Sequence, residues 1–315
     1  MAKLISIGEA LIDQVKKGVK VLGKFVGGAP TNVAAMVANL GQSSVLLTKV
    51  GDDEEGKFII ETLTNKKVDT RFIKVTDAHD TTIAKVQVDK KGQRTFTFDR
   101  RNAADLFFTK EDIDSTLFEA GDILHYGSVN LVPSLSRKAH EFAIDLAKTQ
   151  GMILSFDPNL RFNLWPSPIA LREAVKEFML GVDFFKVTEE ELNFIFPDMS
   201  LEAAIEKVFQ TRVQWLILSK GDQGLVAYQA KQKPIVIKGI KVKAVDTTGA
   251  GDALMGAFLS KVLASGLTKE KLSSSANKIK DYLTFANEVA ALSCTKPGAI
   301  EAFPTLEDLK KAKIK

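Results

Sequence analysis

Residues 242–258 read Val242-Lys243-Ala244-Val245-Asp246-Thr247-Thr248-Gly249-Ala250-Gly251-Asp252-Ala253-Leu254-Met255-Gly256-Ala257-Phe258. Apolar side chains at Ala253, Leu254, Ala257, Phe258, Val262 and Leu263 recur at helical spacing, which predicts a helix opening close to Gly249. The first amides of a helix have no partner within it, and they lie at the positive end of its dipole. Gly249, Ala250 and Gly251 keep bulky side chains away from those amides, so the turn suits an anion such as a phosphate. Asp252 falls in the first turn, where a carboxylate serves equally well as dipole compensation or cap, worth about 0.5–2 kcal/mol with no ligand present. An anion-ready turn joined to a carboxylate that can take a proton from a hydroxyl is what phosphoryl transfer needs, because there the protein chiefly positions reactants and neutralises charge. On that reading Asp252 is the general base.

A second cluster, Gly27-Gly28-Ala29-Pro30-Thr31-Asn32, precedes an apolar helical run from Val33 to Leu40 that Gly41 ends. Backbone can approach a ligand closely here. The competing reading is a tight turn with Asn32 as helix cap.

Elsewhere short β-rich stretches alternate with longer helical ones, as in 123–127, 136–147, 152–157, 169–180 and 182–187. This predicts a mainly parallel sheet covered by helices on both faces. Residues around 12–28 and 81–98 break the rhythm with strict apolar/polar alternation, the second stretch turning at Lys90-Lys91-Gly92, and predict hairpins in a small separate sheet. A chain of 315 residues with 45% hydrophobic content can bury a large core. Its one cysteine, Cys294, has no partner within the chain, which fits a reducing cytoplasm. No apolar run approaches membrane-spanning length, and the first eight residues are too short for a signal sequence and read as a strand. The net charge of +4 is dispersed apart from a basic run at 309–315, so neither nucleic acid nor a membrane is expected as partner. Gly18 to Phe25 nearly spells a phosphate-binding P-loop, but Phe25 stands where a metal-binding hydroxyl is required and no helix follows. The dinucleotide fingerprint is absent after the first strand, where Gly8-Glu9-Ala10 stands, and His79, His125 and His140 are scattered without zinc-ligand spacing.

The two glycine clusters resemble the signature regions of the PfkB, or ribokinase, family of carbohydrate kinases. Gly8-Glu9-Ala10-Leu11-Ile12-Asp13, Val50-Gly51-Asp52-Asp53-Glu54-Glu55-Gly56, Leu218-Ser219-Lys220-Gly221-Asp222-Gln223-Gly224 and Lys296-Pro297-Gly298-Ala299 fit the same family in order, so the resemblance spans nearly the whole chain. Phe156-Asp157-Pro158-Asn159-Leu160-Arg161, followed by Leu164-Trp165 and preceded by Ile123-Leu124-His125-Tyr126-Gly127-Ser128, resembles the fructokinase branch. The resemblance implies a ribokinase-like three-layer α/β/α fold with a mainly parallel central sheet, as one kinase domain over 1–315. A discontinuous β lid is implied at approximately 12–31 and 80–102, with a homodimer formed through it. It also implies transfer from ATP with Mg²⁺ to the 6-hydroxyl of D-fructose. Kinases of 2-keto-3-deoxygluconate, ribose or an aminoimidazole riboside are the alternatives, and a non-catalytic sugar or nucleotide sensor stands further off.

The resemblance assigns Asp252 as base and Gly249, Ala250 and Gly251 as the anion-binding turn. Arg161 follows an Asp-Pro-Asn strand end where it can neutralise the transferring phosphate, the competing reading being an ion pair with Asp157. Asp157 itself reads either as a partner of metal-bound waters or as a turn former. Asp13, Gly28 and Asn32 match sugar-binding positions, and Phe98 and Arg100 are the lid residues expected over the sugar, with Phe96 beside them. Arg94, Arg100 and Arg101 would serve an acidic substrate. Lys186 and Glu191 occupy the place of the family's Asn-x-x-Glu motif, whose glutamate organises Mg²⁺ through water. Thr188 replaces the usual Asn, and its hydroxyl can still cap the helix. Ser219, Gly221, Gly224, Asn287, Gly298 and Ala299 match the nucleotide site, and Asp246 and Thr248 match a K⁺ site or simply close the turn.

Overall fold

The computed structural model describes residues 2–17, 20–88, 94–100 and 102–312. Its strands are β1 (Leu4–Ile7), β2 (Leu11–Lys17), β3 (Lys20–Gly27), β4 (Ser44–Gly51), β5 (Ile73–Thr76), β6 (Thr82–Val88), β7 (Arg94–Asp99), β8 (Ile123–Tyr126), β9 (Ile153–Phe156), β10 (Phe184–Thr188), β11 (Trp215–Ser219), β12 (Gly224–Tyr228) and β13 (Ile235–Lys238). The helices are α1 (Ala29–Asn39), α2 (Glu54–Asn65), α3 (Leu135–Thr149), α4 (Pro168–Phe178), α5 (Glu189–Ile195), α6 (Leu201–Phe209), α7 (Ala250–Ala264), α8 (Ala276–Ser293) and α9 (Leu306–Lys311).

The large sheet runs β13-β12-β11-β10-β9-β8-β1-β4-β5, parallel from β11 to β5, with β12 and β13 antiparallel at one edge. Its inner strands are buried and mostly apolar on both faces, as a sheet covered twice must be. Leu4, Ile123, Ile153, Phe184 and Trp215 pack with α1, α2, α7, α8 and α9. Their neighbours Ile5, Leu124, Leu154, Phe185 and Leu216 pack with α3 to α6. The α/β/α expectation therefore holds. Strand order reverses between β1 and β8, and the crevice beyond the carboxyl ends of strands at such a reversal is where open α/β sheets bind ligands. Glu9 follows β1 there, Asp157 follows β9, and Lys186 stands within β10.

The small sheet has the order β3-β2-β6-β7. Each flanking pair is an antiparallel hairpin, and the central pair β2 and β6 is parallel. The turn at 90–92 lies outside the described residues, as do Gly18 and Val19 of the near-P-loop stretch, whose remainder forms β3. Residues 29–31 belong to α1, so the first segment of this sheet ends at Gly27 and not near 31. Gly56 needs its missing side chain, because a Cβ there would meet the Gly51 carbonyl oxygen and crowd Thr81, which ties the start of β6 to Asp53.

Helices α1 and α7 cross closely at Gly256. A Cβ at that position would stand 2.5 Å from Cβ of Met36. One turn nearer each N-terminus, the same contact brings Asn32 against Asp252.

Candidate active site

Gly249 caps α7 with φ 74, a left-handed conformation, and a Cβ on it would stand 2.8 Å from Cβ of Ala299. The Ala250 amide closes the turn onto the Thr247 carbonyl at 3.2 Å, so it is not free for an anion as the sequence suggested. Among the described residues no acceptor is paired with the Gly251 and Asp252 amides, which leaves them, at the positive end of this 15-residue helix, open to an anion. Lys186 adds a charge to them: a Cβ on Gly251 would sit 3.0 Å from its Nζ.

Asp252 is 8% exposed, and its Oδ2 accepts from Asn32 Nδ2 at 2.8 Å. Burial pushes its pKa up to about 7, with the nearby Asp157 adding to the rise and Asn32, Lys186 and Arg161 opposing it. A carboxyl so poised suits proton transfer near neutrality. Asn32 is therefore not the cap of α1. It lies inside the helix, and its Oδ1 is a buried acceptor with no partner among the described residues. The cap is Gly28, at φ 108, where a Cβ would collide with the Glu9 carbonyl oxygen. Glu9 itself receives the Ala29 amide on Oε1 at 2.9 Å.

Asp157 pairs with Lys186 at 2.8 Å and not with Arg161. Burial works against the Lys186 charge, but Asp157, Glu191 and Asp252 more than offset it and hold its pKa above the ordinary lysine value. Asp157 Oδ1 is left buried without a hydrogen-bond partner among the described residues. Arg161 binds its own loop through Oδ1 of Asn159 at 2.7 Å and the Leu160 carbonyl at 3.1 Å. Thr188 and Glu191 form a reciprocal capping box on α5, as expected of a hydroxyl at that position. The second Glu191 oxygen accepts from the Leu160 amide at 2.9 Å.

Two chambers meet at Asp252. An open cleft of about 600 Å³ runs along residues 244–252 and is closed by Asn159, Arg161 and Lys186. A smaller cavity of about 100 Å³ lies under the small sheet, with Glu9, Asp13, Gly28, Asn32 and Phe98 among its walls. Asn159, Arg161, Thr248, Gly249 and Asp252 line both. A large open chamber and a smaller, less open one, with a carboxylate at their junction, is a layout that suits a two-substrate transfer.

The profile of pfkB family carbohydrate kinases matches residues 1–306. The chain belongs to this family. It is 36% identical to "Probable fructokinase-5" of Arabidopsis thaliana, over 98% of this chain and 96% of that protein. The fructokinase of Vibrio cholerae O395, solved in fructose-, ADP- and calcium-bound form, superposes with a TM-score of 0.89 at 32% identity, covering 100% of this chain and 99% of that one. The fructokinase of Xylella fastidiosa with bound ATP gives the same TM-score at 28% identity, over 99% of both chains.

Within this pfkB kinase fold, several residues singled out from sequence fall elsewhere. Arg100 is buried away from the cavity, paired with Asp105 and donating to Asn130 Oδ1 at 2.8 Å, so it does not close over a substrate. Arg101 and the side chains of Arg94 and Phe96 lie outside the described residues. Gly298 and Ala299 line a third space of about 200 Å³ beneath β2 and β3, together with Asp13, Asp246 and Thr248. The Asp246 carboxylate there accepts from the Thr248 amide and hydroxyl and from the Gly298 amide, which closes the turn. Ser219, Gly221 and Gly224 surround the β11–β12 turn, and Asn287 ties α8 to the Lys238 carbonyl at 3.0 Å. None of these four lines either chamber. The sequence reading gave no role to Glu9, although it stands in the quoted Gly8 to Asp13 motif.

Proposed function

We infer that this chain is an ATP-dependent fructokinase that moves the γ-phosphoryl group of ATP onto the 6-hydroxyl of D-fructose, with Asp252 as general base. The observation that carries the mechanism is the position of Asp252 at the seam of the two chambers, buried and held by Asn32. The sugar fits the small cavity, where Asp13, Gly28, Asn32 and Phe98 surround it. The unpartnered Asn32 Oδ1 suits a hydroxyl donor. The nucleotide fits the open cleft. The 6-oxygen attacks the γ-phosphorus, its proton passes to the Asp252 carboxylate, and the bond to the β–γ bridging oxygen breaks to release ADP. The Gly251 and Asp252 amides with Lys186 and Arg161 neutralise the phosphoryl oxygens.

Magnesium chelated by ATP would neutralise charge on the phosphates. Asp157 Oδ1, buried without a partner, fits one of its waters, and Glu191 fits only through lone pairs not already facing the Leu160 and Thr188 amides. We extend the reading to K⁺ beside Asp246 and Thr248, to a cytoplasmic setting, and to a homodimer through the small sheet, whose edge strands β3 and β7 are unpaired among the described residues. No described helix is long and apolar enough to cross a membrane.

The test is ADP release from MgATP across fructose, glucose, mannose, ribose, tagatose, 2-keto-3-deoxygluconate and aminoimidazole riboside. Fructose is expected to lead. Preference for another sugar would replace the substrate and keep Asp252, and silence with every sugar would overturn the kinase reading.

A further inference from the structure

Glu9 has no part in the transfer chemistry above, yet it is only 3% exposed and lines the sugar cavity. The Ala29 amide donates to Oε1, and the residue's own amide also faces the carboxylate. A carboxylate offers about four acceptor positions, and these two amides account for two of them. Capping α1 does not by itself call for so long a residue reaching in from β1, since a local Ser, Thr or Asp does that work elsewhere. Asp252 hangs on the same first turn of α1 through Asn32, and Ala29 and Asn32 are about 4.5 Å apart along the helix axis. One helical turn thus spaces two buried carboxylates along the wall of the cavity, with the reacting hydroxyl at the second. Burial also pushes Glu9 up to about 7, partly offset by its own amide and by Arg100, as expected of a group excluded from bulk water.

We propose that Glu9 accepts a hydrogen bond from a sugar hydroxyl remote from the one phosphorylated, and that the site selects among sugars by where that second hydroxyl lies. The proposal rests on the sugar-kinase reading and names how the same cavity discriminates. A pocket built to bond a hydroxyl rejects the analogue lacking it, because the buried acceptor is left unpaired.

Glu9→Gln keeps an oxygen for the Ala29 amide and removes the charge. Its KM for fructose is expected to rise roughly 10- to 100-fold while its KM for ATP stays put, the split that separates sugar binding from general damage. Fructose analogues lacking one hydroxyl in turn are then compared on both proteins. The wild type should penalise loss of one particular hydroxyl by a similar factor, and the variant should not. Glu9→Asp, which draws the carboxylate back by one methylene, should lose fructose affinity in the same way. An unchanged fructose KM in both variants, or identical penalties for every analogue in variant and wild type, would overturn the proposal and leave Glu9 as a helix cap. A wild type that ignores fructose and phosphorylates another sugar would defeat the fructose assignment alone, and the comparison would then run on deoxy analogues of that sugar.

Discussion

As the proposed general base, Asp252 would be worth most to catalysis where it is worth least to stability. With its carboxyl pushed by burial to about 7, the base is competent only once that proton has left. We expect kcat/KM to fall about tenfold per pH unit below neutrality and to level off around pH 8, as a pH–rate profile will report. Stability runs the other way. The folded chain holds a proton that the unfolded chain gives up near the ordinary aspartate value of 3.8, so the contribution is full below that value and is lost as pH rises through about 7. Asp252→Asn should therefore lower kcat by roughly 10²–10⁴-fold yet raise stability near pH 8 by about 1–3 kcal/mol. Turnover and thermal midpoint measured on one preparation test both, and a variant that is destabilised at that pH would refute the burial argument. The place of Asp252 in the first turn of α7 was legible in the sequence because the turn that holds it is its neighbour in the chain, whereas its contact with Asn32, 220 positions away, was not. The Lys186–Asp157 pair was not, since its members are 29 positions apart and meet only because β9 and β10 are adjacent.

Helices α1 and α7 were legible from apolar periodicity, and the start of α7 fell within a residue of its expected place. Their crossing was not legible, because Gly256 looks in sequence like one more small residue of an apolar helix. The cap of α1 misled for a related reason. A polar Asn32 at the head of an apolar run is the usual local signal, whereas the actual arrangement uses Gly28 and a carboxylate arriving from β1. Gly256→Ala tests the crossing. Its methyl group would stand 2.5 Å from Met36 Cβ and 3.1 Å from the Val33 carbonyl oxygen, so the helices must part. Such overpacking is expected to cost about 1–3 kcal/mol in chemical denaturation. It should also depress kcat, because Asn32 then loses its hold on Asp252. Loss of stability with full turnover would show that the crossing does not set the catalytic geometry.

Across the molecule, alternation of strand and helix announced the three layers, and alternating polarity announced the two hairpins. Nothing local could reveal that β2 and β6 join them by a parallel pairing, since that contact depends on how both hairpins leave the main body. Besides the Thr81–Asp53 contact, that body is joined at Asp105, which accepts from the Thr82 hydroxyl at 2.6 Å and pairs with Arg100 just beyond β7. Asp105→Asn leaves the Arg100 guanidinium buried without its counter-charge, a change that costs about 3–5 kcal/mol when such a pair is broken. We expect faster hydrogen exchange in β6 and β7 with the central parallel strands still protected, and uniform exchange across both sheets would contradict a joint at this point. The wall common to the cleft and the cavity has an energetic corollary. With the nucleotide in the cleft and the sugar in the cavity, as proposed, Asn159, Arg161 and Asp252 could not settle against one reactant without changing what the other meets, and the two binding equilibria would be thermodynamically linked. Whatever factor a non-hydrolysable ATP analogue applies to the fructose dissociation constant, fructose must return to the analogue, and calorimetric titrations in both orders should close that cycle with a coupling different from one.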